Sequence, residues 1–138
     1  MSALDLAVAQ LKPDEGFRAK VYTDIVGHKS IGYGFNIDAG ISEPAASALL
    51  TAQADEIEHQ LNPLDWFQGL NDARASACIQ LGFNLGMAGL LEFQRMIDAL
   101  RSGNWQGAHD ELLDSRAADQ LPARYGRLSN LLLTGEIA

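Results

Sequence analysis

The spacing of hydrophobic and polar residues predicts a helix over the first part of the chain, from Ser2 to about Glu15. Three apolar residues recur there at helical spacing: Leu4, Val8 and Leu11. Ser2 is a favourable N-cap residue, and Gly16 is a natural helix stop in the left-handed conformation. Pro13 would remove a backbone hydrogen bond from the last turn, so we expect either a kink or an earlier end there.

The pattern changes to short runs of β-branched and aromatic residues between Phe17 and Phe35. The runs "AKVY" and "KSIGYGF" flank the turn-forming segment "TDIVGH", which predicts a small hairpin or a three-stranded sheet. Gly32 and Gly34 are two residues apart, so on a strand both would lie on one face. A face without side chains lets a ligand or another backbone approach closely.

Helical spacing returns after this sheet and continues towards the end of the chain. Ser42 is the predicted N-cap of a helix that runs to about Leu61, where Asn62 and Pro63 end it. Further helices are predicted near residues 71–85, 90–102, 105–115 and 122–133. We therefore predict an α+β fold that is mostly helical and forms a single domain over residues 1–138.

The net charge of the chain and its distribution exclude some classes of binding partner. The 138 residues carry a formal net charge of −8, whereas nucleic-acid-binding domains usually present a basic patch, so we expect no nucleic-acid partner. Residues 36–73 hold seven acids and no Lys or Arg, and we interpret them as a solvated face. The segments 11–35 and 115–138 each hold more bases than acids.

The cysteine and histidine positions predict no thiol or metal chemistry. Cys78 is the only cysteine and lies among small and apolar residues, which favours a buried thiol over a catalytic one. The histidines His28, His59 and His109 lack the spacing of metal ligands. We therefore expect neither a metal nor another cofactor.

The sequence also predicts no membrane insertion. No segment approaches the ~20 apolar residues that span a bilayer. The first residues lack the basic region and the unbroken apolar run of a signal peptide. We therefore expect a protein that is made and folds in the cytosol. If it acts outside the membrane, something else must let it through.

Two acids near the predicted sheet are candidates for chemistry. Glu15 lies at the predicted end of the first helix, and Asp24 lies in the predicted turn. Hydrolysis of a glycosidic bond uses two carboxyl groups: one protonates the leaving oxygen, and the other, ionised, activates water or acts as nucleophile. The alternative is that Glu15 only ends a helix and Asp24 only shapes a turn. The pair alone leaves both interpretations open.

The segment from Glu15 to Phe35 resembles the signature of the phage-type lysozymes, also called glycoside hydrolase family 24 muramidases or endolysins. That signature is a Glu, eight residues, an Asp, five residues and a Thr that leads into Ile-Gly-x-Gly. Glu15, Asp24 and Ser30 stand at these spacings, and "IGYG" follows. Ser30 replaces the usual Thr but keeps the hydroxyl, and we expect activity to survive this change. Phe35 replaces a frequent His that is neither the acid nor the base, so we interpret this replacement as a structural change.

Two later segments extend the resemblance over nearly the whole chain. Residues 81–93, "LGFNLGMAGLLEF", are similar to the family's helix–turn segment with its Phe-Asn-x-Gly. Residues 114–135 are similar to its C-terminal helix that bears an arginine. The resemblance implies a lysozyme-like fold in which a cleft separates two lobes. The implied parts are a small β lobe at about residues 16–41, a connecting helix at about 43–61 and a helical lobe at about 62–138.

The resemblance also implies a role for each matching residue. Glu15 would be the general acid, Asp24 would position or activate the attacking water, and Ser30 would hydrogen-bond that water. The other matches fall in the later segments. Phe83 and Asn84 would line the cleft and bind substrate, and Arg124 would pack behind the catalytic glutamate.

The implied activity is hydrolysis of the β-1,4 bond between N-acetylmuramic acid and N-acetylglucosamine in bacterial peptidoglycan, with inversion. A phage or prophage would use such a monomeric enzyme to lyse its host. The enzyme would be made in the host cytoplasm and would reach the periplasmic wall through a separate holin-type pore protein. The alternatives are a lytic transglycosylase on the same fold, which needs only the glutamate, and a glycan-binding module without activity.

Overall fold

Eight α-helices and one antiparallel sheet are present in residues 2–137, the part of the chain that the computed structural model describes. The chain divides between Ala48 and Leu49 into two compact units, which we call unit 1 (up to Ala48) and unit 2 (from Leu49). The predicted fold class, α+β and mostly helical, is confirmed. None of the helices in residues 2–137 has the length and apolar composition that crossing a bilayer requires.

Helix α1 spans Ala3–Glu15 and begins at the predicted N-cap. The Ser2 hydroxyl accepts the Asp5 amide at 3.1 Å, and the Asp5 carboxylate accepts the Ser2 amide in return, which forms a capping box. The helix continues through Pro13, so the earlier end that this proline could have caused does not occur. It ends at Gly16, whose φ of 71° and ψ of 143° differ from the left-handed helical conformation that we predicted.

The predicted three-stranded sheet is confirmed. Its antiparallel strands, in spatial order, are β1 Arg18–Thr23, β2 Lys29–Gly32 and β3 Phe35–Asn36. Ser30 of the central strand pairs with Tyr22 on one side and with Asn36 on the other. The prediction that Gly32 and Gly34 share a strand face was wrong, because Gly32 ends β2 and Gly34 lies in the turn before β3. Both have positive φ, 70° and 81°, which a tight turn requires and glycine adopts readily.

The chain leaves the sheet through a short 3₁₀ helix and then enters the long helix that the sequence predicted. The 3₁₀ helix spans Ile37–Ala39, where no helix was predicted. Helix α2 spans Glu43–Leu61. The Ser42 hydroxyl accepts the Ala45 amide at 3.3 Å, so the predicted N-cap is confirmed.

The remaining helices lie in unit 2. They are α3 Asp65–Gln68, α4 Asp72–Leu91, α5 Gln94–Arg101, α6 Trp105–Leu113, α7 Arg116–Gln120 and α8 Pro122–Thr134. The four predicted helices correspond to α4, α5, α6 and α8, whereas α3 and α7 were not predicted. Helix α4 is interrupted at Gly86, where φ is 75° and ψ is 161°, which is close to the end predicted for this helix.

The hydrophobic core lies in unit 2, where α8 packs against α4, α6 and α7. Its fully buried side chains include Leu61, Cys78, Leu81, Leu90, Met96, Leu112, Tyr125, Leu128 and Leu132. Cys78 is buried, as the sequence predicted. Burial raises the pKa of its thiol to about 12. In the described part of unit 1, Ser30 is the only buried residue, and the apolar face of α1 is exposed.

Candidate active site

Glu15 ends α1, and its carboxylate lies against the turn between β2 and β3. A Cβ placed on Gly34 would lie only 2.9 Å from Oε2 of Glu15. Any other residue at position 34 would therefore displace the carboxylate, and its side chain would also be strained by the positive φ of 81°. The second glycine of "IGYG" thus makes room for the predicted general acid.

Glu15 opens onto a surface depression of about 420 Å³ within unit 1. The lining residues are Val8, Leu11, Lys12, Glu15, Tyr33 and Gly34. The Lys12 ammonium lies 5.9 Å from the centre of the Tyr33 ring. The carboxylate therefore shares a concave surface with a cation, an aromatic ring and apolar side chains, a combination that suits a sugar with polar and apolar faces.

Asp24 follows β1 and closes the turn that leads to β2. Its Oδ1 accepts the amides of Val26 at 3.0 Å and of His28 at 2.9 Å, and its own amide donates to the His28 carbonyl at 2.8 Å. The turn-shaping role considered above is therefore present. The other oxygen, Oδ2, lies 3.8 Å from Nδ1 of His28, and the Asp24 side chain is 29% exposed. One carboxylate oxygen shapes the turn, and the other faces a partly open surface.

Ser30 lies within β2 and is only 3% exposed. The three predicted catalytic residues lie before, within and after strand β2 of unit 1. Asp24 lies in the turn before this strand, Ser30 lies inside it, and Glu15 contacts Gly34 in the turn after it. The hydrogen bond between Ser30 and an attacking water stays a prediction.

The predicted substrate-binding residues Phe83 and Asn84 lie on α4 in unit 2. Phe83 is 44% exposed and helps to line a depression of about 380 Å³ between α2 and α4. The Asn84 side-chain oxygen accepts the Tyr125 hydroxyl at 2.6 Å. Because the Tyr125 side chain is fully buried, this bond satisfies a buried donor and anchors Asn84. Sequence reasoning missed Tyr125, and the substrate-binding roles stay predictions.

Arg124 precedes Tyr125 on α8 and is half-buried. Burial raises the pKa of Tyr125, and the positive charge of Arg124 partly opposes this shift. The predicted packing of Arg124 behind Glu15 stays a prediction. Within residues 2–137, no group of three or more His, Cys, Asp or Glu side chains is arranged to hold a metal ion.

The arrangement is that of a mostly helical α+β protein with a helix-end glutamate and a turn aspartate on one small sheet. The family model for phage lysozyme matches residues 12–125, so the chain belongs to the phage lysozyme family. The match contains every predicted site residue: Glu15, Asp24, Ser30, Phe83, Asn84 and Arg124.

A curated relative extends this comparison. The chain is 25% identical to the pre-baseplate central spike protein Gp5 of Enterobacteria phage T4, over 92% of this chain and 27% of that protein. The chain therefore spans about a quarter of the length of this relative.

Proposed function

We propose that this chain is a glycoside hydrolase that cleaves the β-1,4 bond between N-acetylmuramic acid and N-acetylglucosamine in peptidoglycan. The observation that carries the proposal is the placement of two carboxylates around one short strand, at the spacing of the phage lysozyme signature. Glu15 is held against Gly34, and Asp24 keeps one oxygen clear of the bonds that close its turn.

In the proposed reaction, Glu15 protonates the glycosidic oxygen while an oxocarbenium-like transition state forms on the sugar. Oδ2 of Asp24 accepts a proton from water on the opposite face of the ring, and the Ser30 hydroxyl orients that water. This route inverts the anomeric carbon. Inverting enzymes separate the two carboxyl groups by about 6.5–9.5 Å, which leaves room for the water.

The local charge of residues 11–35 favours an anionic wall polymer more than the net charge of −8 does. The segment 11–35 holds four bases against three acids. They are Lys12, Arg18, Lys20 and Lys29, and Lys12 lines the depression beside Glu15. The acids that dominate the total charge are concentrated in residues 36–73.

Loss of turbidity of permeabilised bacteria tests the role of Glu15. We expect Glu15→Gln to lower the rate by about 10²–10⁴-fold, since the amide cannot donate the required proton. Glu58→Gln is the matched control, because Glu58 is another exposed helical glutamate outside the candidate site. Equal clearing by the wild type and Glu15→Gln would remove Glu15 from this role. No clearing by the wild type would favour a glycan-binding module.

Mass spectrometry of the digested wall separates hydrolysis from the lytic transglycosylase alternative. Hydrolysis adds one water per cleaved bond, whereas a transglycosylase forms an anhydro ring without water. We expect the hydrated product, because Asp24 and Ser30 would serve a water nucleophile and a transglycosylase needs only the glutamate. Anhydro products would assign the chain to the second activity.

We further propose that the enzyme lyses the host from within. It would be made in the bacterial cytoplasm as a monomer and would reach the periplasmic wall through a holin-type pore protein. Expression inside bacteria should then cause lysis only when such a pore protein is co-expressed. Lysis without it would contradict this route.

The relationship to a baseplate spike protein favours a second candidate role, wall digestion at the start of infection. The two roles predict that the protein is found in different fractions after infection by a phage that encodes it. A spike-type role would retain the chain in purified particles, whereas a release role would leave it in the soluble lysate. Immunodetection in both fractions distinguishes them.

A further inference from the structure

We propose that His28 is a positioning residue that adjusts Asp24 according to the charge on its imidazole. This inference rests on the proposed function, since it assigns a partner to the carboxylate that would activate water. Asp24 and His28 flank the turn between β1 and β2, and two hydrogen bonds join them. The Asp24 amide donates to the His28 carbonyl at 2.8 Å, and the His28 amide donates to Oδ1 of Asp24 at 2.9 Å.

These backbone bonds leave the two side chains facing each other. Nδ1 of His28 lies 3.8 Å from Oδ2 of Asp24, which is too long for a hydrogen bond but short enough for a charge interaction. Oδ1 already accepts the amides of Val26 and His28. Oδ2 is therefore the oxygen available to a water molecule, and it is also the oxygen that the imidazole faces.

The charge on His28 would change what Oδ2 can do. A protonated imidazole attracts this oxygen and weakens it as a proton acceptor, whereas a neutral imidazole leaves it available to water. Imidazole side chains ordinarily change charge between about pH 5 and 8. We therefore expect hydrolysis to become faster as His28 loses its proton. Because both side chains are partly exposed, the effect should be about two- to fivefold.

Other charged side chains flank this turn. Strand β1 carries Arg18 and Lys20, β2 carries Lys29, and the 3₁₀ helix carries Asp38. The Asp38 carboxylate accepts the Lys29 amide at 3.1 Å, which places a second negative charge close to His28. Of the side-chain types named here, histidine is the one whose ordinary charge change falls between about pH 5 and 8.

The test is the rate of peptidoglycan hydrolysis between pH 5 and 8 for the wild type, His28→Gln and His28→Lys. Glutamine stays neutral and lysine stays cationic throughout this range. At pH 5 we expect His28→Gln to exceed the wild type and His28→Lys. At pH 8 we expect the wild type to match His28→Gln and to exceed His28→Lys. A merely structural role of His28 would lower the activity of both variants at every pH.

His59→Gln is the matched control. His59 also faces an aspartate four residues earlier, with Nδ1 3.6 Å from Oδ1 of Asp55, but it lies on α2 outside the candidate site. Its removal should leave the pH profile unchanged. An active wild type whose profile matches that of His28→Gln would overturn the His28 proposal alone. A wild type without hydrolytic activity would overturn this proposal together with the proposed function.

Discussion

The two units of this chain are held together in different ways. Unit 2 buries large apolar side chains completely, among them Leu81 and Leu128, and it also buries Tyr125. In the described part of unit 1, by contrast, Ser30 alone is buried. Hydrophobic burial is the main source of stability in folded domains, so we infer that unit 2 supplies most of it. Hydrogen bonds, caps and glycine conformations shape unit 1.

This difference bears on where the candidate chemistry lies. Glu15 is placed by contact with Gly34, and Asp24 is placed by the amides of Val26 and His28. In the described part of unit 1, no apolar side chain is buried beside either carboxylate. Substitutions in unit 1 should therefore change activity more than stability, and substitutions in the core of unit 2 should do the reverse.

The largest effect is expected from a truncation in the core of unit 2. Leu81 is fully buried, so Leu81→Ala should lower the free energy of unfolding by about 2–5 kcal/mol. Val21 of β1 is 54% exposed, and Val21→Ala should cost less than about 1 kcal/mol. Urea unfolding followed by circular dichroism measures both. Equal losses would show that the units do not differ in this way.

The next effect is expected at Gly34. The added methyl group of Gly34→Ala would displace the Glu15 carboxylate, and a misplacement of about 1 Å can cost about 100-fold in rate. Gly40→Ala is the matched control, because Gly40 has φ of 82° but no atom beyond its two chain neighbours lies within 4 Å of an added Cβ. Both variants place a side chain at a similar positive φ, so both should lose stability.

Rates of wall hydrolysis and melting temperatures of these two glycine variants separate strain from displacement. We expect only Gly34→Ala to lose most of its activity. If Gly40→Ala is equally impaired, backbone strain rather than contact with Glu15 explains the loss.

The sequence predicted the parts of the fold that depend on local interactions. Ser2 and Ser42 accept backbone amides three residues later. Such caps depend on neighbours in the chain, so they can be recognised without the structure. The helices α3 and α7 were missed because four or five residues are too few to show a helical period.

The surroundings of the candidate residues were predicted only in part, because two contacts, one in each unit, join residues from separate segments. The spacing of Glu15 and Asp24 identified the candidate carboxylates. It did not show that Gly34 makes room for Glu15, nor that Tyr125 donates to Asn84 across 41 positions. Those contacts depend on how α1 meets the turn and how α8 packs on α4, which residue spacing does not report.

The smallest effect concerns the buried interior of unit 2 and depends on pH. Burial raises the pKa of Cys78 from 9.0 to about 12, so between these values the thiol ionises in the unfolded chain but not in the folded one. The stability from this shift is present below pH 9 and is lost as the pH rises towards 12. Cys78→Ala removes the thiol and therefore this pH dependence.

We expect the stability difference between the wild type and Cys78→Ala to shrink by on the order of 1 kcal/mol from pH 8 to pH 10. Urea unfolding of both proteins at the two pH values measures this change. The alanine variant also controls for other groups that titrate in this range, since it retains all of them. A stability difference that stays constant with pH would mean that water reaches the thiol. The contrast in burial between unit 2 and unit 1 would then be weaker than the burial of Cys78 indicates.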